Sequence, residues 1–244
     1  MKKLPTETPV YMFVGFLESG KTKFIQETFE DERFDTGENT LLLVMDEGVE
    51  EYDEGKFAVQ NVSIAYIDDK ADLTEEKLTA LQLEYGATRV VVEYNGMWLL
   101  EDFFKAMPEG WMINQLMTFF DTNTALNYNA NMRQLVFDKI ENTQMVVFNR
   151  YSAKVDKMDL HKLVRGITRR ADIVYEYDEN EVYFTYEVTQ FGVFITGLTD
   201  LGKAQSTLRT PVAYDGKKVT QISADTFAGG AAIRELFVTD NIAQ

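Results

Sequence analysis

Apolar residues come first in short unbroken runs and then, after each run, return every three or four positions. Residues 10–14, 41–45, 90–92, 115–120 and 145–148 are runs of strand length, continuous enough to be buried on both faces. Residues 62–67 alternate like a half-buried strand, and 172–175 form a last short one. Helical spacing follows at 23–29, 98–104, 123–140 and 157–170, the third carrying Leu126, Met132, Leu135, Val136 and Ile140. A further helix is predicted to open at Asp72 as N-cap with Glu75 three residues on. It runs through Leu78, Leu81 and Leu83 and stops at Gly86. Strand and helix thus alternate to about residue 178, the mark of an α/β fold with a mostly parallel sheet and helices on both faces. The 41–45 strand is expected beside the first one.

Beyond residue 178 the pattern changes. Residues 182–189 and 191–196 are β-branched and aromatic with no helical spacing between them, and they read as antiparallel strands. A turn is expected at 214–217. The chain is therefore divided into a first domain, 1–178, and a small β-rich C-terminal region, 179–244.

The first apolar run breaks into Gly15-Phe16-Leu17-Glu18-Ser19-Gly20-Lys21-Thr22 and then into a helix pattern. A Gly-x-x-x-x-Gly-Lys-Thr loop between a strand and a helix is a phosphate-binding loop. Its glycines let backbone N–H groups converge on phosphate oxygens, its lysine reaches the β- and γ-phosphates, and its threonine hydroxyl ligates Mg²⁺. The helix N-terminus adds its own N–H groups and dipole. Gly15, Glu18, Ser19, Gly20, Lys21 and Thr22 are the expected nucleotide contacts. Glu93 closes the 89–93 strand, and in phosphate-loop proteins the strand beside the loop ends in a carboxylate that holds Mg²⁺ directly or through water. Asp46 and Glu47 are held open as further metal-side acids because they end a strand where parallel sheets place ligands. The acidic stretch 50–54 reads as a solvated connection, with 46–55 as the candidate switch segment.

Composition narrows the chemistry. The 244 residues, 45% hydrophobic and 13% aromatic, describe a globular chain with room for a large core. No run reaches membrane-span length and no signal-peptide pattern opens the chain, so a cytoplasmic protein with no membrane partner is expected. The absence of cysteine excludes disulfides, thiolate metal sites and thiol nucleophiles. His161 is the one histidine and reads as a helix-surface residue. Acids outnumber Lys and Arg 40 to 24, a net charge of −16, which argues against a nucleic-acid partner.

On the loop, Glu93-Tyr94-Asn95-Gly96 and Asn149, the stretch from Tyr11 to Tyr175 resembles the CobW-type (CobW/HypB-like) P-loop GTPases, a family linked to metal and cobalamin handling. The family's loop is Gly-Phe-Leu-Gly-Ala-Gly-Lys-Thr, its second motif Glu-x-x-Gly ends here at Gly96, and Asp121 fits its strand-terminal Asp. The resemblance implies a P-loop NTPase fold, with Mg²⁺ and GTP, or ATP, as ligands. Two motifs depart from it. The guanine signature Asn-Lys-x-Asp stands as Asn149-Arg150-Tyr151-Ser152, without the carboxylate that accepts from guanine. Asn149 can still touch the base edge, and Arg150 or Tyr151 can stack on the ring. The Cys-x-Cys-Cys metal motif is absent, so metal delivery would need carboxylate or Met ligands or a partner.

The leading expectation is an Mg²⁺-dependent triphosphatase, GTP before ATP, with Lys21 and Glu93 in the catalytic roles, acting in metal or metallocofactor homeostasis. The alternative is a nucleotide-binding regulatory or scaffold subunit that does not hydrolyse. A small-molecule kinase would call for an Arg-rich lid, which the sequence near the loop lacks. A protein partner or a homodimer is left open.

Overall fold

The computed structural model describes residues 6–45, 48, 51–151, 155–177, 183–190, 192–211, 213–214, 217–239 and 242. The chain forms two compact units, residues 1–149 with 155–176, and residues 150–154 with 177–244.

The first unit carries β1 (Thr8–Gly15), α1 (Lys21–Glu30), β2 (Thr40–Val44), β3 (Val62–Tyr66), α2 (Glu75–Tyr85), β4 (Arg89–Tyr94) and α3 (Leu100–Ala106). β5 (Trp111–Asp121), α4 (Thr122–Asn131), α5 (Arg133–Glu141), β6 (Met145–Tyr151), α6 (Lys157–Arg165) and β7 (Asp172–Tyr177) follow, the last residues of β6 and β7 passing into the second unit. The sheet order is β3-β2-β4-β1-β5-β6-β7, and β1 to β6 are parallel.

The unbroken apolar runs follow from what covers the sheet. Val10, Met12, Val14, Leu41, Leu43, Val90 and Val92 pack on one face with Leu78, Leu81, Leu100 and Phe103 of α2 and α3. The intervening Phe13, Leu42, Val44 and Val91 pack on the other with Ile25 and Phe29 of α1. Successive strand residues point to opposite faces, so burying both requires an apolar residue at every position. The result is an α/β fold of the P-loop NTPase kind with a small C-terminal β region.

Several expectations change in detail. β2 does not lie beside β1, because β4, buried at all six positions, stands between them. The 123–140 helix is two helices, α4 and α5. α4 ends in an Asn-rich stretch where the Asn131 side chain donates to the Asn127 carbonyl at 2.8 Å, and Met132 leaves helical geometry at φ −132, ψ 42. α6 ends at Arg165 rather than Arg170, since Gly166 follows and Arg165 Nη1 turns to the Ala171 carbonyl at 2.7 Å. Thr74, not Asp72, caps α2 by accepting from the Lys77 amide at 3.2 Å, while Asp72 ends a 3₁₀ turn. Gly86 closes that helix at φ 62 as its pattern predicts, but Leu83 is exposed. β5 begins earlier than expected, at Trp111, whose indole donates to Gln82 at 2.8 Å.

In the second unit β8 (Phe184–Thr189) and β9 (Gly192–Leu198) form the expected antiparallel pair. A helical turn at Asp200–Lys203 leads to β10 (Thr207–Arg209), β11 (Ala213–Tyr214), β12 (Lys217–Ile222) and β13 (Glu235–Phe237). β12 pairs parallel with β9 and antiparallel with β11, and β10 pairs parallel with β13. Phe184, Val193, Ile195, Leu198, Leu208 and Val219 make its core. Val182 and Phe191, where the two strands were expected to start, lie outside the described residues, as do Asp215 and Gly216 of the predicted turn.

Candidate functional site

β1 stops at Gly15 and α1 starts at Lys21, leaving five residues to turn the chain between them. The turn is curled rather than extended. The Ser19 amide donates to the Phe16 carbonyl at 3.3 Å, and the Phe24 amide donates to Gly20 at 3.1 Å. Lys21 is 2% exposed, and its ammonium donates to the carbonyls of Gly15 at 3.0 Å and Phe16 at 2.9 Å. A cation thus sits inside the curve of the loop and holds its two ends together. α1 has no side-chain cap and no acid in its first turn, so its N-terminal amides carry the positive end of the dipole with no carboxylate of their own beside them.

Two glycines are needed for close approach. Gly20 has φ 96, and a Cβ there would lie 2.0 Å from Asn149 Nδ2. Gly96 follows β4, and a Cβ there would lie 2.5 Å from the Gly15 oxygen and 2.6 Å from Phe16 Cα. The loop therefore rests directly on the Asn95-Gly96 turn, in which Asn95 Oδ1 accepts from the Met97 amide at 2.8 Å.

Glu93 reaches the same place from β4. That strand pairs with β1 in the register Phe13↔Glu93, so the carboxylate emerges beside the loop at the carboxyl end of the sheet. Glu93 is 1% exposed. Thr22 Oγ1 donates to its Oε1 at 2.6 Å, and the phenol of Tyr52 donates to its Oε2. Tyr52 belongs to the acidic stretch that the sequence suggests is a solvated connection. Glu51, Asp53 and Glu54 are exposed in keeping with that. The stretch is nevertheless fastened to α1, because Gln26 donates to the Asp53 carbonyl at 3.1 Å and accepts from the Asp53 amide at 3.0 Å. One sequence signal could have found Tyr52: a phenol in the loop that follows the carboxyl end of a buried parallel strand.

The remaining candidates divide. Asn149 Nδ2 donates to the Ser19 carbonyl at 3.3 Å, which brings the end of β6 to the loop. Thr122 Oγ1 donates to the Asn149 carbonyl at 2.7 Å, and Asp121 caps α4 by accepting from the Asn123 amide at 2.7 Å. Ser19 is 2% exposed, and its hydroxyl has no hydrogen-bond partner among the described residues. Glu18 is exposed at the tip of the loop with φ 60, a conformation unusual for a residue with a side chain. Gly15, Gly20, Lys21, Thr22, Glu93, Gly96 and Asn149 are thus gathered around one loop. Arg150, at φ 53, belongs to the second unit. Asp46, Glu47 and Ser152 lie outside the described residues, and His161 is exposed on α6.

A second buried ammonium stands below the Gly96 turn. Lys139 of α5 donates to the Trp98 carbonyl and to Asp138 at 2.7 Å and faces the Tyr94 ring. Burial pushes its pKa down, against the pull of Asp138.

The donor set suits a hard cation. Thr22 and Glu93 bring a hydroxyl and a carboxylate oxygen together, and among the described residues no three His, Cys, Asp or Glu form a metal cage. Mg²⁺ is held in this way, by one or two protein oxygens with phosphates and water completing the octahedron. The unpartnered Ser19 hydroxyl and the uncapped helix start fit a polyphosphate in the same place.

No family model matches the chain, and no curated protein matches it. Among solved structures it is similar to hydrogenase maturation factor HypB from Archaeoglobus fulgidus, at 12% identity and a TM-score of 0.47, over 70% of this chain and 82% of that one.

Proposed function

We propose that the first unit binds a nucleoside triphosphate with Mg²⁺ and hydrolyses it slowly, with GTP as the preferred nucleotide and ATP as the competitor. The observation that carries this reading is the 2.6 Å contact between Thr22 and Glu93 beside a loop curled around a buried Lys21. In this reading Lys21 exchanges its two loop carbonyls for phosphate oxygens. Thr22 and Glu93 hold Mg²⁺, and Glu93 or its water orients the nucleophile. Catalysis is then positioning and charge stabilisation of the γ-phosphoryl group. Asn149 braces the loop through Ser19, and in this reading its side chain touches the base edge. A role in metal or metallocofactor homeostasis extends the proposal. With no thiolate in the chain, any delivered metal would be held by carboxylates, by Met or by a partner protein.

One observation favours the second reading, binding without turnover. Both Glu93 oxygens already accept hydrogen bonds from the protein's own hydroxyls. Titrating GTP and ATP with Mg²⁺ against the protein and against Lys21→Ala separates the two. The expected result is saturable binding, weakened at least tenfold by Lys21→Ala, with phosphate released over many minutes. Saturable binding without release supports the regulatory reading, and binding that ignores the lysine overturns both.

A further inference from the structure

α5 buries Val136, Lys139 and Ile140, so a lysine stands where the helical stripe calls for an apolar residue. Its side chain is fully buried, and an ammonium so placed is costly unless its N–H groups find acceptors. The turn after β4 supplies them. The ammonium donates to the Trp98 carbonyl and, at 2.7 Å, to Asp138, which accepts in turn from the Leu100 amide at 3.1 Å. Asp138 thereby serves the first amide of α3, whose own cap residue, Leu99, has no side chain able to do so. The backbone of Lys139 is anchored as well. Its carbonyl accepts from Thr118 of β5 at 2.7 Å, and Thr118 pairs with Val14 of β1, one residue before the loop begins.

Residues 95–99 are therefore held from two sides. On one side Gly96 lies against the Gly15 carbonyl and Phe16 with no room for a Cβ, and the carbonyls of those two residues accept from Lys21. On the other, Lys139 takes the Trp98 carbonyl, and the Tyr94 hydroxyl donates to the Leu99 carbonyl at 2.7 Å. An apolar side chain at 139 would leave the Trp98 carbonyl without the ammonium and loosen that second side.

We propose that Lys139 is a positioning residue: acting through the Trp98 carbonyl, it holds the Asn95–Gly96 turn against the phosphate-binding loop on the side where Glu93 emerges, and so favours a triphosphate with Mg²⁺ over a diphosphate. This rests on the nucleotide reading above for its ligand but not for its geometry. In that reading Glu93 and Gly96 flank the metal and the γ-phosphoryl group, while Asn149 serves the base. A turn that drifts from the loop costs contacts to the γ-phosphoryl end and spares those that a diphosphate shares.

The test is Lys139→Met, which removes the ammonium and keeps an unbranched side chain of similar length. With Mg²⁺ present, the ratio of GTP to GDP affinity is expected to fall roughly tenfold, chiefly through GTP. Without nucleotide, amide hydrogen exchange over residues 96–100 is expected to quicken about tenfold, while that of β1 and β5 keeps its parental rate. Ile140→Val, the next residue along α5 and fully buried, should lower stability and change neither readout, which separates positioning from a general loss of packing. Lys139→Gln keeps an N–H donor without the charge and is expected to recover part of both effects. Should Lys139→Met fail to fold, Lys139→Gln carries the comparison with the parent. Unchanged exchange over residues 96–100 overturns the proposal, as does an equal fall in GTP and GDP affinity. If the parent binds no GTP, the nucleotide reading ends, while the exchange comparison still decides whether Lys139 holds the turn.

Discussion

The two units of this chain bury their strands in different ways, and the difference locates the chemistry. In the first, β2 and β4 are buried at every position and the sheet is parallel. In the second, β9 alternates between buried and half-buried residues over its first four positions, β8 buries only Phe184, and the pairings are mixed. A parallel sheet covered on both faces leaves side chains no exit except past the ends of the strands, so polar groups collect at the carboxyl edge. Glu93, Asn149 and the loop after Gly15 all occur there. A sheet with one open face can place polar residues anywhere along a strand, and the second unit gathers no comparable constellation among its described residues.

The largest expected effect breaks that comparison directly. Phe103 is fully buried in the first core, and Ile195 is fully buried in the second. Phe103→Ala is expected to cost about 3–5 kcal/mol and Ile195→Ala about 2–5 kcal/mol, measured by urea denaturation. Their functional signatures should differ. Ile195→Ala is expected to leave Lys21-dependent nucleotide binding intact at low urea, whereas Phe103→Ala, packed against the Tyr94 ring that follows Glu93, should weaken it. Equal loss of binding in both variants would mean that the second unit is part of the site.

Much of this organisation is legible in the residues themselves. The Gly-x-x-x-x-Gly-Lys-Thr spacing, the apolar run before it and the acid closing the 89–93 strand bring Lys21, Thr22 and Glu93 together because each signal is local and periodic. The order of strands is not local. Nothing in residues 41–45 says that β4 will stand between them and β1, since any strand apolar at every position can take a central place. The break at Met132 is equally hidden, because the apolar spacing from Leu126 to Ile140 continues across it while the cause lies in the hydrogen-bonding habits of the Asn residues before it. Tyr52 was obscured for the opposite reason. Its neighbours Glu51, Asp53 and Glu54 are solvated as their charge implies, and one partly buried phenol among them leaves no periodic trace.

A smaller effect comes from the tip of the loop. Glu18 has φ 60, where a side chain costs about 1 kcal/mol, and glycine would not meet that cost. Glu18→Gly is expected to raise stability by up to about 1 kcal/mol, less whatever the more flexible unfolded chain gives back. It also removes a negative charge beside the proposed polyphosphate. Binding should tighten at low ionic strength, and the gain should shrink as salt is added. A gain in affinity that is independent of salt would assign the effect to loop geometry and not to charge.

The smallest effect sharpens the contrast from the edge of the first sheet. Glu176 on β7 has its pKa raised above the usual carboxylate value, first by burial and then by Glu27, with Lys23 pulling the other way. The raised value means that the folded state holds this proton more tightly than the unfolded chain does. Between the unfolded pKa near 4.5 and the folded one, the native state binds more protons, so stability falls as pH rises through that window and the penalty is complete above it. Glu176→Gln carries no charge at either end. It is expected to be slightly more stable than the parent at pH 7, with the difference vanishing as both are taken below pH 4.5, in paired thermal melts across that range. A difference that persists in acid would assign the gain to packing of the amide, and a loss at pH 7 would mean that the attraction of Lys23 outweighs burial at this edge.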